Sequence, residues 1–268
     1  MLHDIHIHTN LSDCAKPEAT LDLYIQHAKN YNLPVIGIAN HYWDEKVPGA
    51  FPWYVPQNTA HIYKIKPEIE EKSGKDVKIL FGAETEIDKH GTIGISVEEA
   101  AKLDFLLVPH GHTHMTNDTI PEEEKATNEK HAAFLVKSFF NILANKPLLK
   151  YITAVAHPFT AVGTPGEEIV KIHSYISDKQ FEDCFEALRD ADIAAEINTA
   201  GFVNPIFRDN IAQAPYTRMY KIAKRVGCKF TLGSDAHGEK GCVPFSLVSE
   251  IMSISGITET DLVDVLSL

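Results

Sequence analysis

Short strand-like runs alternate with helical patterns along almost the whole chain, and this alternation constrains the fold more than any other feature. The strand-like runs span residues 3 to 8, 34 to 39, 77 to 84, 104 to 109, 151 to 156, 193 to 197 and 229 to 233. The helical patterns lie near residues 20 to 31, 60 to 73, 96 to 102, 127 to 145, 178 to 190 and 213 to 226, with two more after residue 243. The alternation predicts an α/β protein with a parallel sheet built from seven strand–helix units.

Seven parallel strands can close into a barrel or stay open as a doubly wound sheet. A barrel gathers its strand ends at one rim, whereas an open sheet spreads them along a line. Because polar side chains follow almost every strand-like run, the pattern favours a TIM-like barrel of seven or eight strands over a doubly wound open sheet. Such barrels commonly need about 250 residues. The 268 residues therefore predict a single domain spanning residues 1–268.

The charge of the chain narrows the choice of partners. A formal net charge of −12 argues against a general affinity for nucleic acid, because that binding depends on phosphate neutralisation by lysine and arginine. Bound divalent cations would cancel several of the 37 acidic residues, so a phosphate group could still meet a locally positive site. We expect neither nucleic acid nor a membrane as a partner.

The cysteines and the N-terminus bear on the cellular compartment. Cys14, Cys184, Cys228 and Cys242 show neither the density of a disulfide framework nor the C-x-x-C spacing of a thiolate zinc site. The N-terminus has no basic stretch or apolar signal core, and no apolar run approaches the roughly 20 residues of a membrane span. We expect reduced thiols in a cytoplasmic protein.

Two short pairs of polar side chains stand where apolar runs end. His6 and His8 lie near the start of the chain, and Asp235 and His237 lie near its end. Residues i and i+2 of a strand point to the same side, so each pair aims two metal-binding side chains into one space. These pairs predict a metal site.

Further candidate ligands follow the other runs. They are Asp13, His41, Glu84, His110, His112 and His157. Each alone has an ordinary structural explanation, and the segment HGHTH leaves open whether His112 or His110 is the ligand after the fourth run. Jointly they are harder to explain, since each buried unsatisfied polar group costs roughly 1 to 3 kcal/mol and coordination removes that cost. Histidine and carboxylate together suit Zn, Mn or Fe rather than an all-oxygen calcium site.

The motifs, in this order, resemble a known family. The chain contains HxHT followed by SD, a strand ending in NH, GxE, a histidine after DFLLV, then AHP and GSDAH. This series is similar to the polymerase and histidinol phosphatase (PHP) family of metal-dependent phosphoesterases along essentially the whole chain. The resemblance implies the PHP fold, a distorted (β/α)7 barrel, with a trinuclear centre of Zn, Fe or Mn.

The resemblance also implies a distribution of ligands. One ion would be held by His6, His8, Glu84 and Asp235; a second by Glu84, His157 and either His112 or His110; and a third by Asp13, His41 and His237. The segment EINTAGF resembles the histidinol phosphatase branch, which tends to continue with an arginine and a lysine where Val203 and Asn204 stand here. Arg208 is our candidate for the missing phosphate clamp.

The expected reaction is hydrolysis of a small phosphomonoester. A hydroxide bridging two cations would attack phosphorus and release inorganic phosphate, with Asp235, His237 and Arg208 as the candidate catalytic residues. The long loops at residues 40 to 59, 110 to 126 and 198 to 212 are expected to form the substrate wall. The alternatives are a nuclease or nucleotidase with the same centre, a hydrolase of C–N bonds, and a non-enzymatic metal-binding module.

Overall fold

The computed structural model describes residues 1–74, 76–242 and 245–268, with Phe245 described by its backbone alone. The strands of this part of the chain are β1 (Asp4–Ile7), β2 (Val35–Ile38), β3 (His41–Tyr42), β4 (Lys78–Thr85), β5 (Phe105–Pro109), β6 (Ala154–Ala156), β7 (Ala194–Asn198) and β8 (Phe230–Gly233). Every strand-like run of the sequence became a strand, with bounds that differ by no more than a few residues. The two-residue strand β3 was not predicted.

The strands form a parallel sheet that closes on itself. Their order is β1-β2-β4-β5-β6-β7-β8, and β3 continues the line of β2 along β4. The circle closes between β1 and the segment after β8, where His8 N donates to the Ala236 carbonyl at 2.9 Å and Asp235 N donates to the His6 carbonyl at 2.8 Å. The predicted barrel of seven strands is therefore confirmed.

Helices cover the outside of the sheet. They are α1 (Leu21–Asn30), α2 (Thr59–Ile62), α3 (Lys66–Lys72), α4 (Val97–Ala100), α5 (Asn128–Ala144), α6 (Gly166–Ser174), α7 (Asp178–Asp190), α8 (Pro205–Arg208), α9 (Pro215–Arg225) and α10 (Phe245–Ser255). No described helix is long and apolar enough to cross a membrane.

The predicted helices differ from the observed ones in four places. The pattern at residues 60 to 73 is divided between α2 and α3 by a 3-10 turn, and the second pattern after residue 243 is only a 3-10 turn at Glu259–Asp261. Helices α6 and α8 had not been predicted; α8 is a single turn beginning at a proline. Helix α7 matches its prediction because Ser177 and Gln180 form a capping box that fixes its first turn.

The apolar residues separate into an inner and an outer core. Val35, Leu80, Phe105 and Leu107 pack with small alanines inside the barrel, whereas the opposite face of the same strands packs against the helices. A Cβ atom at Gly82 would collide with the Phe105 ring, so this glycine makes room for the inner core. The inner core fills the barrel below the rim and leaves the strand ends for polar residues.

Buried neutral histidines outside the rim give a prediction about acid stability. His3, His131 and His173 are buried, and burial lowers the pKa of each to about 4. In the unfolded chain these histidines would become protonated near pH 6.5, whereas in the folded protein they stay neutral down to about pH 4. Their contribution to the free energy of unfolding is therefore fully present above about pH 6.5 and is lost as the pH falls toward about 4. Over this range the free energy of unfolding falls by at most about 1.4 kcal/mol per pH unit for each histidine.

We expect the free energy of unfolding of His173→Gln to fall less steeply with decreasing pH than that of the unaltered protein. Urea unfolding between pH 7 and pH 4.5, with a chelator present to exclude metal effects, measures this difference. His173 Nε2 lies 2.9 Å from the Phe159 carbonyl oxygen, and the glutamine amide can replace the donated hydrogen bond. Equal slopes for the two proteins would contradict the prediction.

Candidate metal centre

The candidate ligands come together at the carboxyl ends of the strands. His6 lies in β1 and His8 directly follows it, Glu84 is the second-last residue of β4, and His157 directly follows β6. The pairing of β3 with β4 places His41 directly opposite Glu84. Parallel strands closed into a barrel bring these ends to one rim, which is why residues far apart in sequence meet there.

The first cluster consists of His6, His8, Glu84 and Asp235. The two Nε2 atoms of His6 and His8 are 3.1 Å apart. Glu84 Oε2 lies 3.4 Å from each of these nitrogens, and Asp235 Oδ1 lies 3.5 Å from His6 Nε2 and 3.2 Å from His8 Nε2. All four donor atoms therefore surround one small space.

The hydrogen bonds of the other ring nitrogen, Nδ1, in His6 and His8 indicate that this space suits a cation. His6 Nδ1 is 2.6 Å from Glu196 Oε1, and His8 Nδ1 is 3.1 Å from Ser12 Oγ. With the Nδ1 protons used in this way, the Nε2 lone pairs face each other and the carboxylates. Ligands 2.0 to 2.2 Å from a tetrahedral zinc are about 3.3 to 3.6 Å apart, close to the separations seen here.

The second cluster consists of Glu84, His112 and His157. Glu84 Oε1, the oxygen turned away from the first cluster, lies 2.9 Å from His157 Nε2 and 3.8 Å from His112 Nε2. Glu86 holds His112 in place through a contact of 2.6 Å between Oε2 and Nδ1. Because Glu84 is fully buried and presents one oxygen to each cluster, its carboxylate can bridge two cations.

The third cluster consists of His8, His41 and His237, whose ring nitrogens also lie close enough to hold an ion. The ring centroids of His8 lie 4.4 Å from His41 and 4.2 Å from His237. His41 Nδ1 is 3.1 Å from Glu84 Oε2. The third cluster is thus adjacent to the first and shares His8 with it.

The electrostatics of the metal-free centre are those of buried ion pairs. Burial opposes charge on Glu84, but the neighbouring imidazoles, with His6 and His41 foremost, hold its pKa well below the usual range. Burial likewise opposes charge on His41, yet Glu84 raises its pKa to about 10. Protons on the imidazoles balance the carboxylates, and cations could replace these protons, so metal binding would release protons.

Two of the candidate ligands occupy an unusual backbone conformation. Asp235 has φ +56° and His157 has φ +27°, both in the left-handed region that non-glycine residues rarely adopt. The Asp235 amide bonded to His6 and the His157 amide bonded to Glu196 Oε2, at 2.7 Å, hold these conformations. Strain of this kind is typical of functional sites, where surrounding contacts fix the side-chain direction.

Three predicted site residues lie elsewhere. His110 points away from the clusters, because its Nδ1 contacts the Leu135 carbonyl at 3.1 Å and its Nε2 accepts a hydrogen bond from Phe159 N at 2.9 Å. Its neighbour His112 occupies the position that the motif left open. The Asp13 side chain is exposed and belongs to none of the three clusters, although its backbone N donates to Gln57 at 3.1 Å.

Arg208 is the third of these residues. It is exposed at the end of α8, in a surface depression shared with Lys240 and Cys242. The lining of the cavity above the metal clusters includes no lysine or arginine among the described residues. In this conformation Arg208 therefore lies apart from the place where the sequence predicts a phosphate group.

Cys14, which the sequence does not single out as a ligand, lies beside the clusters. Cys14 lines the cavity together with His41 and His237. Burial would raise its pKa, but these two imidazoles lower it to about 6. The only signal was its place next to Asp13 in the SD motif, where the direction of a turn decides which side chain faces the site.

Sequence reasoning also missed Glu196, which orients two ligands at once. Its Oε1 contacts His6 Nδ1 and its Oε2 accepts from the His157 amide. A Cβ atom on Gly233 would collide with this carboxylate and with His6, so the glycine of GSDAH permits the close approach. The signal was present in the sequence, because Glu196 interrupts an otherwise apolar strand.

We expect Glu196→Gln to weaken metal binding by about 10- to 100-fold, since residues that fix a ligand's ring and tautomer have effects of that size. The glutamine side chain would place its NH₂ group opposite either His6 Nδ1 or the His157 backbone N–H, so that two donors would face each other. Competition titration with a chromophoric chelator measures the affinity, and Glu250→Gln on the exposed face of α10 serves as the control. Unchanged affinity in Glu196→Gln would show that this carboxylate does not position the ligands.

A cavity of about 500 Å³ lies over the clusters. Its lining residues are Cys14, His41, Phe51, Trp53, Tyr54, His112, His114, Met115, Asp118, Val162, Asp235 and His237. The predicted loops at 40 to 59 and 110 to 126 supply most of this wall, whereas the loop at 198 to 212 supplies none of the lining residues that the structure describes. The cavity is thus largely apolar, with several of the candidate ligands at its base.

The aromatic part of this wall is fixed to the metal centre. Trp43, Phe51 and Tyr54 form a small core of their own under the loop. The Tyr54 hydroxyl donates to Glu86 Oε2 at 3.4 Å, and Glu86 also holds His112. The Glu86 carboxylate therefore contacts both Tyr54 of the cavity wall and His112 of the second cluster.

Comparisons with known proteins support the fold. The chain is similar to the crystal structure of a histidinol phosphate phosphatase from Lactococcus lactis subsp. lactis in complex with zinc, L-histidinol and phosphate, with 17% identity, a TM-score of 0.60 and coverage of 96% of this chain and 94% of that chain. It is also similar to a dihydropteroate synthase from Coxiella burnetii in complex with pteroic acid, with 11% identity, a TM-score of 0.50 and coverage of 95% and 93%. No family model and no curated protein matches the sequence.

At these identities the likeness shows a common architecture. The barrel of this chain is one that a zinc-containing phosphatase uses and that a synthase of different chemistry uses as well. The chemistry must therefore be argued from the residues at the rim.

Proposed function

We propose that this protein is a metal-dependent phosphatase of the PHP type that hydrolyses a small phosphomonoester. One observation carries the proposal: the buried Glu84 presents one oxygen to each of two groups of imidazole nitrogens at the base of an apolar cavity. The Lactococcus lactis phosphatase of similar fold, solved with zinc, L-histidinol and phosphate, supports a small phosphorylated substrate and zinc.

The three clusters support a trinuclear centre of Zn, Fe or Mn. Bound divalent cations would supply the Lewis acidity that activates water near neutral pH and offsets charge on the phosphoryl group. Glu84 would hold two ions through its separate oxygens, while His6 and His8 would complete the first position. Asp235 belongs to the first cluster and also lines the cavity, so it would hold an ion where the substrate can reach it.

The cavity supports a small substrate over a nucleic acid. Its described lining contains no lysine or arginine, so cations would have to balance the phosphoryl charge. Trp53, Phe51 and Met115 would surround the organic part of the substrate and exclude water from the reacting group. A nuclease would instead need a basic groove along which the phosphate backbone could bind.

Reconstitution with single metals tests the proposal. The protein is stripped with a chelator, loaded separately with Zn, Mn or Fe, and assayed for phosphate release from phosphomonoesters including histidinol phosphate and p-nitrophenyl phosphate. We expect hydrolysis that disappears with the chelator and returns with at least one metal. A phosphodiester and an amide substrate are the comparison, and higher kcat/KM on either would contradict the proposal.

A further inference from the structure

One carboxylate in the cavity wall belongs to none of the metal clusters. The described lining contains two carboxylates, Asp235 and Asp118, and only Asp235 is grouped with the candidate ligands. Asp118 is half-buried, and its carboxylate has no hydrogen-bond or ion-pair partner among the residues that the structure describes. Its negative charge is therefore available to a ligand that enters the cavity.

The loop that carries Asp118 is held in place without neutralising this charge. The Asp118 carbonyl accepts a hydrogen bond of 2.8 Å from Lys89 N. Lys89 Nζ also contacts the loop, but it donates to the Asn117 carbonyl, and Lys125 Nζ donates to the Thr113 carbonyl at 2.8 Å. Both lysines thus bind backbone oxygens and leave the Asp118 carboxylate unpaired.

Aromatic and apolar side chains share the wall with Asp118. Phe51, Trp53 and Met115 line the same cavity, and the Trp53 ring stands edge-on to His41 with 5.0 Å between the ring centroids. An ammonium group suits these surroundings, because a carboxylate attracts its charge and an aromatic face adds cation–π attraction. A carboxylate on the substrate would instead be repelled by Asp118, and the described lining offers it no lysine or arginine.

The base and the wall of the cavity would therefore attract opposite charges. Cations held by the clusters would bind the phosphoryl group, while Asp118 would bind a positive group elsewhere in the same molecule. We propose that Asp118 is a specificity-determining residue that selects phosphomonoesters whose organic part carries an ammonium group. The inference rests on the proposed function, because it concerns the substrate of the same centre.

Three phenyl phosphates that differ only in remote charge test the inference. Each carries a para substituent on the same ethylene spacer, ending in an ammonium, a methyl or a carboxylate group. The phosphoryl group and the spacer are shared, so differences in hydrolysis report on recognition of the end group. We expect kcat/KM of the metal-loaded protein to be about five- to tenfold higher for the ammonium ester than for the methyl ester. The carboxylate ester should be the poorest substrate.

Asp118→Asn keeps the shape of the side chain and removes its charge. We expect the ratio of kcat/KM between the ammonium and methyl esters to fall close to one. The change should lie in KM, since a contact remote from phosphorus is made equally in the ground state and the transition state. Glu123→Gln is the matched control, because Glu123 is exposed on the same loop and is not among the lining residues, so the ratio should stay at its original value.

The outcomes separate this inference from the proposed function. Hydrolysis of the methyl ester with no preference for the ammonium ester, or a preference that survives in Asp118→Asn, would overturn the role of Asp118 and leave the phosphatase intact. An equal loss on all three esters in Asp118→Asn would also overturn it, by assigning Asp118 a structural role. Failure of the unaltered, metal-loaded protein to hydrolyse any of the three esters would contradict the proposed function itself.

Reversal of the charge gives a second readout. In Asp118→Lys we expect the order of the charged esters to invert, so that the carboxylate ester has the lower KM. Elemental analysis of the same preparation confirms that the variant holds its metal. An unchanged order in a variant with full metal content would contradict the assignment.

Discussion

Replacing Glu84 by glutamine is expected to remove most of the bound metal and to lower kcat/KM for phosphomonoester hydrolysis by about a thousandfold. Loss of several kcal/mol of metal-derived charge stabilisation corresponds to an effect of that size. The amide keeps the shape of the side chain but loses its charge and one of its two ligating oxygens. Since Glu84 faces both the first and second clusters, both should lose affinity. Elemental analysis and steady-state kinetics on the same preparation measure the two effects.

Glu99→Gln is the matched control. Glu99 is also a buried glutamate, but it lies in α4 and pairs with Lys102 away from the rim. This variant should keep the metal content and activity of the unaltered protein. Full metal content together with full activity in Glu84→Gln would rule out Glu84 as the bridging ligand.

Replacing Asp235 is expected to have the second largest effect, a loss of about 100- to 1,000-fold in kcat/KM. Asparagine tolerates a positive φ, so Asp235→Asn tests the loss of the charged ligand while the backbone at φ +56° is preserved. Asp235→Ala removes the ligand and adds backbone strain. We therefore expect both variants to lose an ion from the first cluster and Asp235→Ala to be the less stable.

Asp192→Asn controls for the backbone. Asp192 also has a positive φ, +57°, but it is exposed between α7 and β7 and contacts none of the clusters. Its replacement should leave metal content and kinetics unchanged. Full phosphatase activity with full metal content in Asp235→Ala would refute the proposed role of Asp235.

The parts of the fold that follow from periodicity could be predicted from the sequence. Apolar runs fix the strands, and closure of parallel strands brings their ends to one rim, so His6, His8 and Glu84 could be expected to meet. The short helix α8 could not be predicted in this way, because a single turn carries too little periodicity. The same limit applies to β3, which has only two residues.

The details of the site depend on turns, which sequence spacing does not determine. His110 and His112 both follow β5, but only His112 contacts Glu86, whereas contacts with Leu135 and Phe159 hold His110 away from the clusters. Asp13 and Cys14 are adjacent, but only Cys14 lines the cavity beside His41, and a hydrogen bond from the His41 amide to Ser12 holds the turn that decides between them. In each case a contact distant along the chain selects one of two similar candidates.

Crystals of the metal-loaded protein, measured at the absorption edges of zinc, iron and manganese, would show whether Glu84 bridges two ions. We expect anomalous-scattering peaks between the His6 and His8 Nε2 atoms and Asp235, and between His157 and the other oxygen of Glu84. A map with no peak within bonding distance of Glu84, from a protein that elemental analysis shows to contain metal, would contradict this expectation.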